Sequence, residues 1–293
     1  MGADRLTGTL QRGPFDLSYV VEGQGLPVLV VGSAVYYPRT FSTDLRRHLR
    51  LAFVDHRGYG RVTGAYGPED MTLDRVIEDM EALRRHLDLG ERVVVLGHSG
   101  HGYMALEYAK RQPEAVAAVV VVGTGPSHRP EHMEQAERAW DEAVCPERKA
   151  RFAADMSGLA AAVEADPDNR FVTFCLRMAA RSWFDPGYDA APLWQGVDVN
   201  LPVIDHLWGE TFRDIDVGAG LPDLDRPVLL AMGRFDYLVA PVEAWAPYRP
   251  LFRDLTVRVF ERSGHTPQLE EPAAFDAVLR EWLGAKGLLP AAG

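Results

Sequence analysis

Three side chains stand where each would follow a strand: Ser99 in Gly97-His98-Ser99-Gly100-His101-Gly102, Asp236 in Gly233-Arg234-Phe235-Asp236-Tyr237, and His265 in Ser263-Gly264-His265-Thr266-Pro267. A serine hydroxyl is a weak nucleophile until a neighbouring base takes its proton. The base in turn needs a third group to hold its tautomer and offset the imidazolium charge. Together these groups imply attack of Ser99 on a carbonyl carbon, His265 as base and Asp236 as its orienting acid. Two backbone N–H groups must face the developing oxyanion. Gly100, directly after the serine, is expected to supply one. Ala34, in the loop Gly32-Ser33-Ala34-Val35-Tyr36-Tyr37, is expected to supply the other. Such chemistry needs no metal and no organic cofactor, and activity falls once acid protonates the base.

Each of these residues also has a bland reading: a helix cap, a turn aspartate, a loop histidine. The constellation argues against coincidence, because all three fall at strand ends on one edge of the sheet. Asp223 and Asp225 precede their strand and lie at the opposite edge, whereas Asp214 and Asp216 remain weaker competitors for the acid. His98 and His101 are three apart, but no third ligand is spaced to join them at a metal. His101 also occupies the position where G-x-S-x-G requires glycine. It is expected to point along the following helix and hydrogen-bond locally.

The elements that must position these groups are legible in the hydrophobic pattern. A strand pair is expected over Thr7 to Leu10 and Phe15 to Val21. Short, branched apolar runs at Pro27 to Val31, Leu51 to Val54, Val93 to Leu96, Val116 to Val122, Pro227 to Met232 and Leu255 to Phe260 read as strands, most of them buried on both faces. Helical periodicity appears at Met71 to Leu89, Tyr103 to Arg111, Pro241 to Tyr248 and Pro272 to Leu283. This alternation implies a mostly parallel sheet covered by helices. Between the fourth and fifth of those six runs the pattern turns helical, at 131–142, 147–165, 170–184 and 201–208. The expected organisation is therefore a core of 1–125 and 222–293, with a helical insertion over 126–221 folded across the carboxyl ends of the strands.

The chain has 293 residues, 47% hydrophobic and 25% charged, with a net charge of −11. That excess of carboxylate disfavours nucleic acid and anionic membrane surfaces, leaving a small molecule as the expected partner. No apolar run approaches membrane-spanning length, and the first six residues lack the apolar region of a secretory signal. Cys145 and Cys175 are too few for a disulfide framework and are expected to be buried apolar thiols in a reducing, cytoplasmic setting. A homo-oligomer is left open.

The segments Asp55-His56-Arg57-Gly58-Tyr59-Gly60-Arg61, Gly97 to Gly102 followed by Ala105-Leu106-Glu107-Tyr108-Ala109, and Ser263 to Pro267 with Glu270-Glu271-Pro272 resemble the α/β-hydrolase fold. Within that superfamily the chain is most similar to the proline iminopeptidase-like branch. The resemblance implies a serine hydrolase with the chain order Ser, Asp, His. The branch's H-G-G-P-G and G-G-S-W-G motifs appear here as Gly32 to Tyr36 and Gly97 to His101, and these departures favour a small-molecule ester, thioester, lactone or amide over a prolyl peptide. Aminopeptidase action, which would call on an acid such as Glu164 or Glu210, is the alternative. Acyl transfer or cyclisation would use the same acyl-enzyme, and a low-turnover receptor or a lyase on the same fold is more remote. Serine at position 99 disfavours the aspartate-nucleophile chemistry of epoxide hydrolases and dehalogenases. Tyr36, Phe174, Trp183, His206 and Trp208 are the expected substrate contacts, with Phe171 and Phe184 in the insertion's aromatic set.

Overall fold

A computed structural model describes residues 5–290, so Met1–Asp4, on which the N-terminal reading mainly rests, lie outside it. Its strands are β1 (Leu6–Arg12), β2 (Phe15–Glu22), β3 (Leu26–Gly32), β4 (Leu49–Asp55), β5 (Arg61–Val62), β6 (Val93–His98), β7 (Val116–Val122), β8 (Val228–Gly233) and β9 (Leu255–Phe260). They form one sheet in the order β1-β2-β4-β3-β6-β7-β8-β9, with β5 paired to β2. The pairings of β2 with β1, β4 and β5 are antiparallel, and all the others are parallel.

Period-two alternation divides the interior into two cores. Leu29, Val31, Val93, Val95, Val119, Val121 and Leu230 face one side with the apolar stripes of α1 (Leu73–His86) and α2 (His101–Arg111). Val28, Val30, Val94, Leu96, Val120, Val122 and Leu229 face the other. That second face is covered by Phe275, Leu279, Trp282 and Leu283 of the closing helix. Central strands buried on both faces therefore read as continuous apolar runs. The Thr72 hydroxyl accepts the Arg75 N–H at 3.3 Å and sets the start of α1.

Between β7 and β8 the chain forms α3 (Pro130–Ala143), α4 (Pro146–Ser157), α5 (Leu159–Ala165), α6 (Arg170–Arg177), α7 (Ala179–Ser182), α8 (Ala191–Trp194), α9 (Leu201–His206) and α10 (Phe212–Asp214). After β9 come α11 (Pro267–Glu270) and α12 (Pro272–Ala285).

Several expected boundaries move. The helix expected over 147–165 is two helices broken at Gly158, and the one expected over 170–184 breaks at Met178. The piece expected to end at Trp208 continues as a π-helical turn, Leu207–Thr211. Pro241 to Tyr248 contains only a 3₁₀ turn, Val242–Trp245. The two cysteines are corrected as well: Cys145 is exposed, at the N-terminal end of α4, and Cys175 is half-buried. No helix of the described residues is long and apolar enough to cross a membrane.

Candidate active site

Strand β6 ends at His98 and α2 begins at His101, so the reversal of direction falls on Ser99 and Gly100. Ser99 is held at φ 58°, a left-handed conformation that is costly for a non-glycine residue. Backbone bonds enforce it. The Ser99 N–H donates to the Val122 carbonyl at 2.8 Å, and its own carbonyl accepts from Gly102 N–H at 2.9 Å and from the Thr124 hydroxyl at 2.8 Å. Among the described residues the Gly100 N–H donates to no protein group, and it lies at the start of α2, where the helix dipole favours negative charge. A side chain at Gly100 would stand 2.7 Å from the Trp208 indole, so the residue after the serine must be small.

Asp236 and His265 meet beyond the ends of β8 and β9. The His265 Nδ1–H donates to Asp236 Oδ2 at 2.8 Å, and Asp236 Oδ1 accepts the Leu238 N–H at 3.0 Å, so both carboxylate oxygens are engaged. The two side chains are 8% and 1% exposed. The His265 backbone is pinned on both sides. Its N–H donates to the Ser182 carbonyl, and its carbonyl accepts from His98 Nε2 at 2.8 Å. Glu270 accepts the N–H groups of Gly264 and Thr266, each at 3.0 Å, and that of Phe184 at 2.6 Å. Burial raises the Glu270 pKa, against the lowering effect of these donors.

Ser99 and His265 open into one cavity of about 780 Å³. Of the expected contacts, Tyr36, Phe174, Trp183 and Trp208 line it. Phe171 joins them, whereas Phe184 packs against Phe235 instead. His206 is a correction. It does not reach the cavity, because its Nδ1 turns toward Glu210 Oε2, 3.2 Å away on the same helical face. Ala34 is a second correction: its N–H already donates to Asp55 Oδ1 at 2.7 Å, so it is not free to meet an oxyanion. Asp55 also accepts the Ser18 N–H at 3.0 Å, but burial outweighs both bonds and pushes its pKa up to about 7.

A family model described as alpha/beta hydrolase fold matches residues 24–272. The chain belongs to the α/β-hydrolase family. It is 46% identical over 269 residues to the AB hydrolase superfamily protein YclE of Bacillus subtilis (strain 168), an alignment covering 92% of this chain and 95% of that protein. Pimeloyl-[acyl-carrier protein] methyl ester esterase of Klebsiella pneumoniae (strain 342) is 29% identical over 239 residues, covering 79% and 82% of the two chains. The crystal structure of the proline iminopeptidase of Mycobacterium smegmatis superposes with a TM-score of 0.73 at 22% identity, covering 97% of this chain and 99% of that one. At that identity the likeness is one of fold.

Several lining residues of this hydrolase are invisible to motif reading. Tyr59, Met133, Cys175, Met178 and Trp194 reach the cavity from four separate segments. Desolvation in the protein pushes the Cys175 thiol up to about 12, which favours its protonated form. The cavity's Arg181 is neutralised by a bidentate bond to Glu137, at 2.5 and 2.7 Å, and its guanidinium lies 4.6 Å from the Trp140 ring and 4.7 Å from that of Phe152. His101 is 3% exposed. Its Nδ1 contacts the His98 carbonyl at 2.9 Å, as the expected local bond, but it also contacts the Tyr37 hydroxyl at 2.9 Å, and its Nε2 meets His56 Nε2 at 3.2 Å.

Proposed function

We propose that this hydrolase cleaves a neutral carboxylic ester bearing an apolar or aromatic group, through an acyl-enzyme on Ser99. The observation that carries the reading is the 2.8 Å bond from His265 Nδ1–H to Asp236, with Ser99 and His265 opening into the same cavity. That bond leaves His265 Nε2 with its lone pair, the form a general base requires. His265 takes the Ser99 proton as Oγ attacks the carbonyl carbon. It then returns the proton to the leaving alkoxide as the tetrahedral intermediate collapses. Water, deprotonated by the same imidazole, resolves the acyl-enzyme into free acid and Ser99. The Gly100 N–H and the positive end of α2 stabilise the oxyanion.

The lining supports an apolar substrate, since aromatic rings and methionines dominate it and its one acid–base pair, Glu137 with Arg181, is joined by two hydrogen bonds that leave only the buried Arg181 Nε without a partner among the described residues. No unpaired carboxylate of the lining is offered to a free amino terminus, which argues for an ester over a prolyl peptide. Glu164 and Glu210 do not line the cavity. In this reading the helical segment 126–221 acts as a cap that supplies Phe171, Phe174, Trp183 and Trp208 to the substrate.

The test is labelling with a fluorophosphonate probe, followed by competition with a series of aryl and alkyl esters. Labelling at Ser99, abolished in Ser99→Ala and competed best by apolar acyl esters, is the expected result. An unlabelled Ser99, or full ester turnover by Ser99→Ala, overturns the reading.

A further inference from the structure

The histidine that replaces the elbow glycine belongs to a hydrogen-bonded chain whose direction is fixed at both ends by backbone groups. At one end the Gly58 N–H donates to His56 Nδ1 at 3.0 Å. A ring nitrogen that accepts carries no proton, so the neutral His56 ring holds its proton on Nε2. That proton points at His101 Nε2, 3.2 Å away, which must therefore accept. His101 then carries its proton on Nδ1, shared between the His98 carbonyl and the Tyr37 oxygen, each at 2.9 Å. The Tyr37 hydroxyl directs its own proton to His98 Nδ1 at 3.1 Å. His98 is left with its proton on Nε2, donated to the His265 carbonyl at 2.8 Å.

Reversing any link would set two donors or two acceptors face to face, because a backbone N–H can only donate and a carbonyl can only accept. The contact between His56 and His101 is a hydrogen bond by its 3.2 Å separation of the two Nε2 atoms. All the members are buried, with His56 1%, Tyr37 3%, His101 3% and His98 4% exposed.

We infer that His101, with His56 and Tyr37, is a positioning residue that acts through His98 to hold the His265 backbone and to keep the histidine beside it uncharged. The His98 and His265 rings lie 4.7 Å apart between centroids. His265 must become an imidazolium during acyl transfer, and a cation on His98 would oppose that step. The ordered chain opposes it, since a proton added at His56 or His101 would confront an existing donor, and one added at His98 Nδ1 would force the Tyr37 hydroxyl proton away to the His98 carbonyl, 3.5 Å distant. Burial, which lowers the pKa of all three, acts in the same direction.

The catalytic consequence rests on the ester-cleaving reading of Ser99 and His265, whereas the proton order does not. Imidazole ¹⁵N spectra of the full chain at neutral pH read that order without substrate. His56 and His98 are expected as Nε2–H tautomers and His101 as the Nδ1–H tautomer. An Nδ1–H form or an imidazolium at His98 overturns the inference even if Ser99 is labelled by the probe. Tyr37→Phe keeps the ring but removes the donor to His98 Nδ1. It is expected to keep the His98 Nε2–H tautomer, which the His265 carbonyl still fixes, but to loosen the ring and lower kcat about tenfold, the rate equivalent of one buried hydrogen bond, with KM within about twofold. His101→Gly should show the same kcat loss, and His101→Asn, which keeps a donor for the His98 carbonyl, should recover part of it. Wild-type kcat in both Tyr37→Phe and His101→Gly refutes the positioning role.

Discussion

The backbone N–H of His265 donates to the carbonyl oxygen of Ser182, so this histidine is suspended from the helical segment that precedes β8. The neighbouring Arg181 carbonyl accepts the Tyr237 N–H at 3.0 Å, so two successive carbonyls hold the histidine loop and the aspartate loop. The segment is therefore part of the scaffold that holds His265 and Asp236, and its residues also line the cavity.

This junction has no spare room. A side chain at Gly264 would collide with the Ser182 carbonyl oxygen and stand 2.9 Å from the Trp183 carbonyl carbon, both of them backbone atoms. Gly264→Ala is expected to destabilise by about 1–3 kcal/mol, the range for forced overpacking, and to lower kcat at least about tenfold as His265 separates from Ser182. Urea unfolding and ester kinetics measure the two effects. An unchanged kcat would show that the junction does not govern the position of His265.

Trp208 presses on the serine turn from above. The alanine methyl in Gly100→Ala would meet its ring at 2.7 Å and that of Phe212 at 2.9 Å, displacing either the turn or the indole. Gly100→Ala should therefore lose most ester turnover, and Trp208→Phe added to it should restore part. A double-mutant cycle is expected to give a coupling of about 1 kcal/mol or more. Simple additivity of the two changes would contradict the contact.

Buried neutral histidines make stability sensitive to acid. Burial holds His101 down to about 4, against an ordinary value of 6.5. The unfolded chain therefore takes a proton that the folded chain refuses, and the His101 contribution, intact above pH 6.5, is lost as pH falls toward 4. At pH 5 the loss from His101 alone is about 2 kcal/mol. His56 and His98 shift in the same direction. Around His101 the polar groups are His56, His98, Tyr37 and Tyr59, and none of the hydrogen bonds it makes among the described residues is to a carboxylate. Asp55, pushed up to about 7, works oppositely, since its contribution is intact below its unfolded value near 4 and is lost as pH rises through 7. Comparison with His101→Asn isolates the histidine. Between pH 7.5 and 5, wild type should lose about 2 kcal/mol more than the variant in urea unfolding, and equal losses would refute the account.

The strands, and the places of Ser99, Asp236 and His265 just beyond three strand ends, were legible because each is encoded locally. A two-sided strand is an unbroken apolar run, as in Val116 to Val122, and a turn after it announces itself through Gly and Asp or His. What was not legible is encoded by neighbours distant in sequence. Ala34 looked like a free amide because nothing near it in the chain shows that Asp55, 21 residues later, takes its N–H. His206 sat beside Trp208 in a reading by periodicity, but a π-helical turn begins at Leu207 and the two side chains part, one to Glu210 and one to the cavity. The local bond expected of His101 is there, to the His98 carbonyl, but its contacts with Tyr37 and His56 come from segments distant in sequence.

The identity of the acid can be tested against the competitors the sequence left open. Asp214 is paired with Arg213 at 2.6 Å with its side chain 66% exposed, and Asp216 turns back to accept the Gly218 N–H at 3.0 Å. Neither contacts His265, whereas Asp236 holds its Nδ1–H while taking the Leu238 N–H on its other oxygen. In Asp236→Asn one amide face must present a donor to one of these two donors. If Leu238 keeps the oxygen, His265 is driven to the Nε2–H tautomer and can no longer accept the Ser99 proton. The expected loss in kcat is about 10³- to 10⁴-fold, with little change in KM, as found when such an acid is replaced by its amide. Asp214→Asn and Asp216→Asn should retain kcat within about twofold, because neither change reaches the base. A large loss in Asp214→Asn or Asp216→Asn, with Asp236→Asn active, would reassign the acid and separate the observed hydrogen bond from the chemistry.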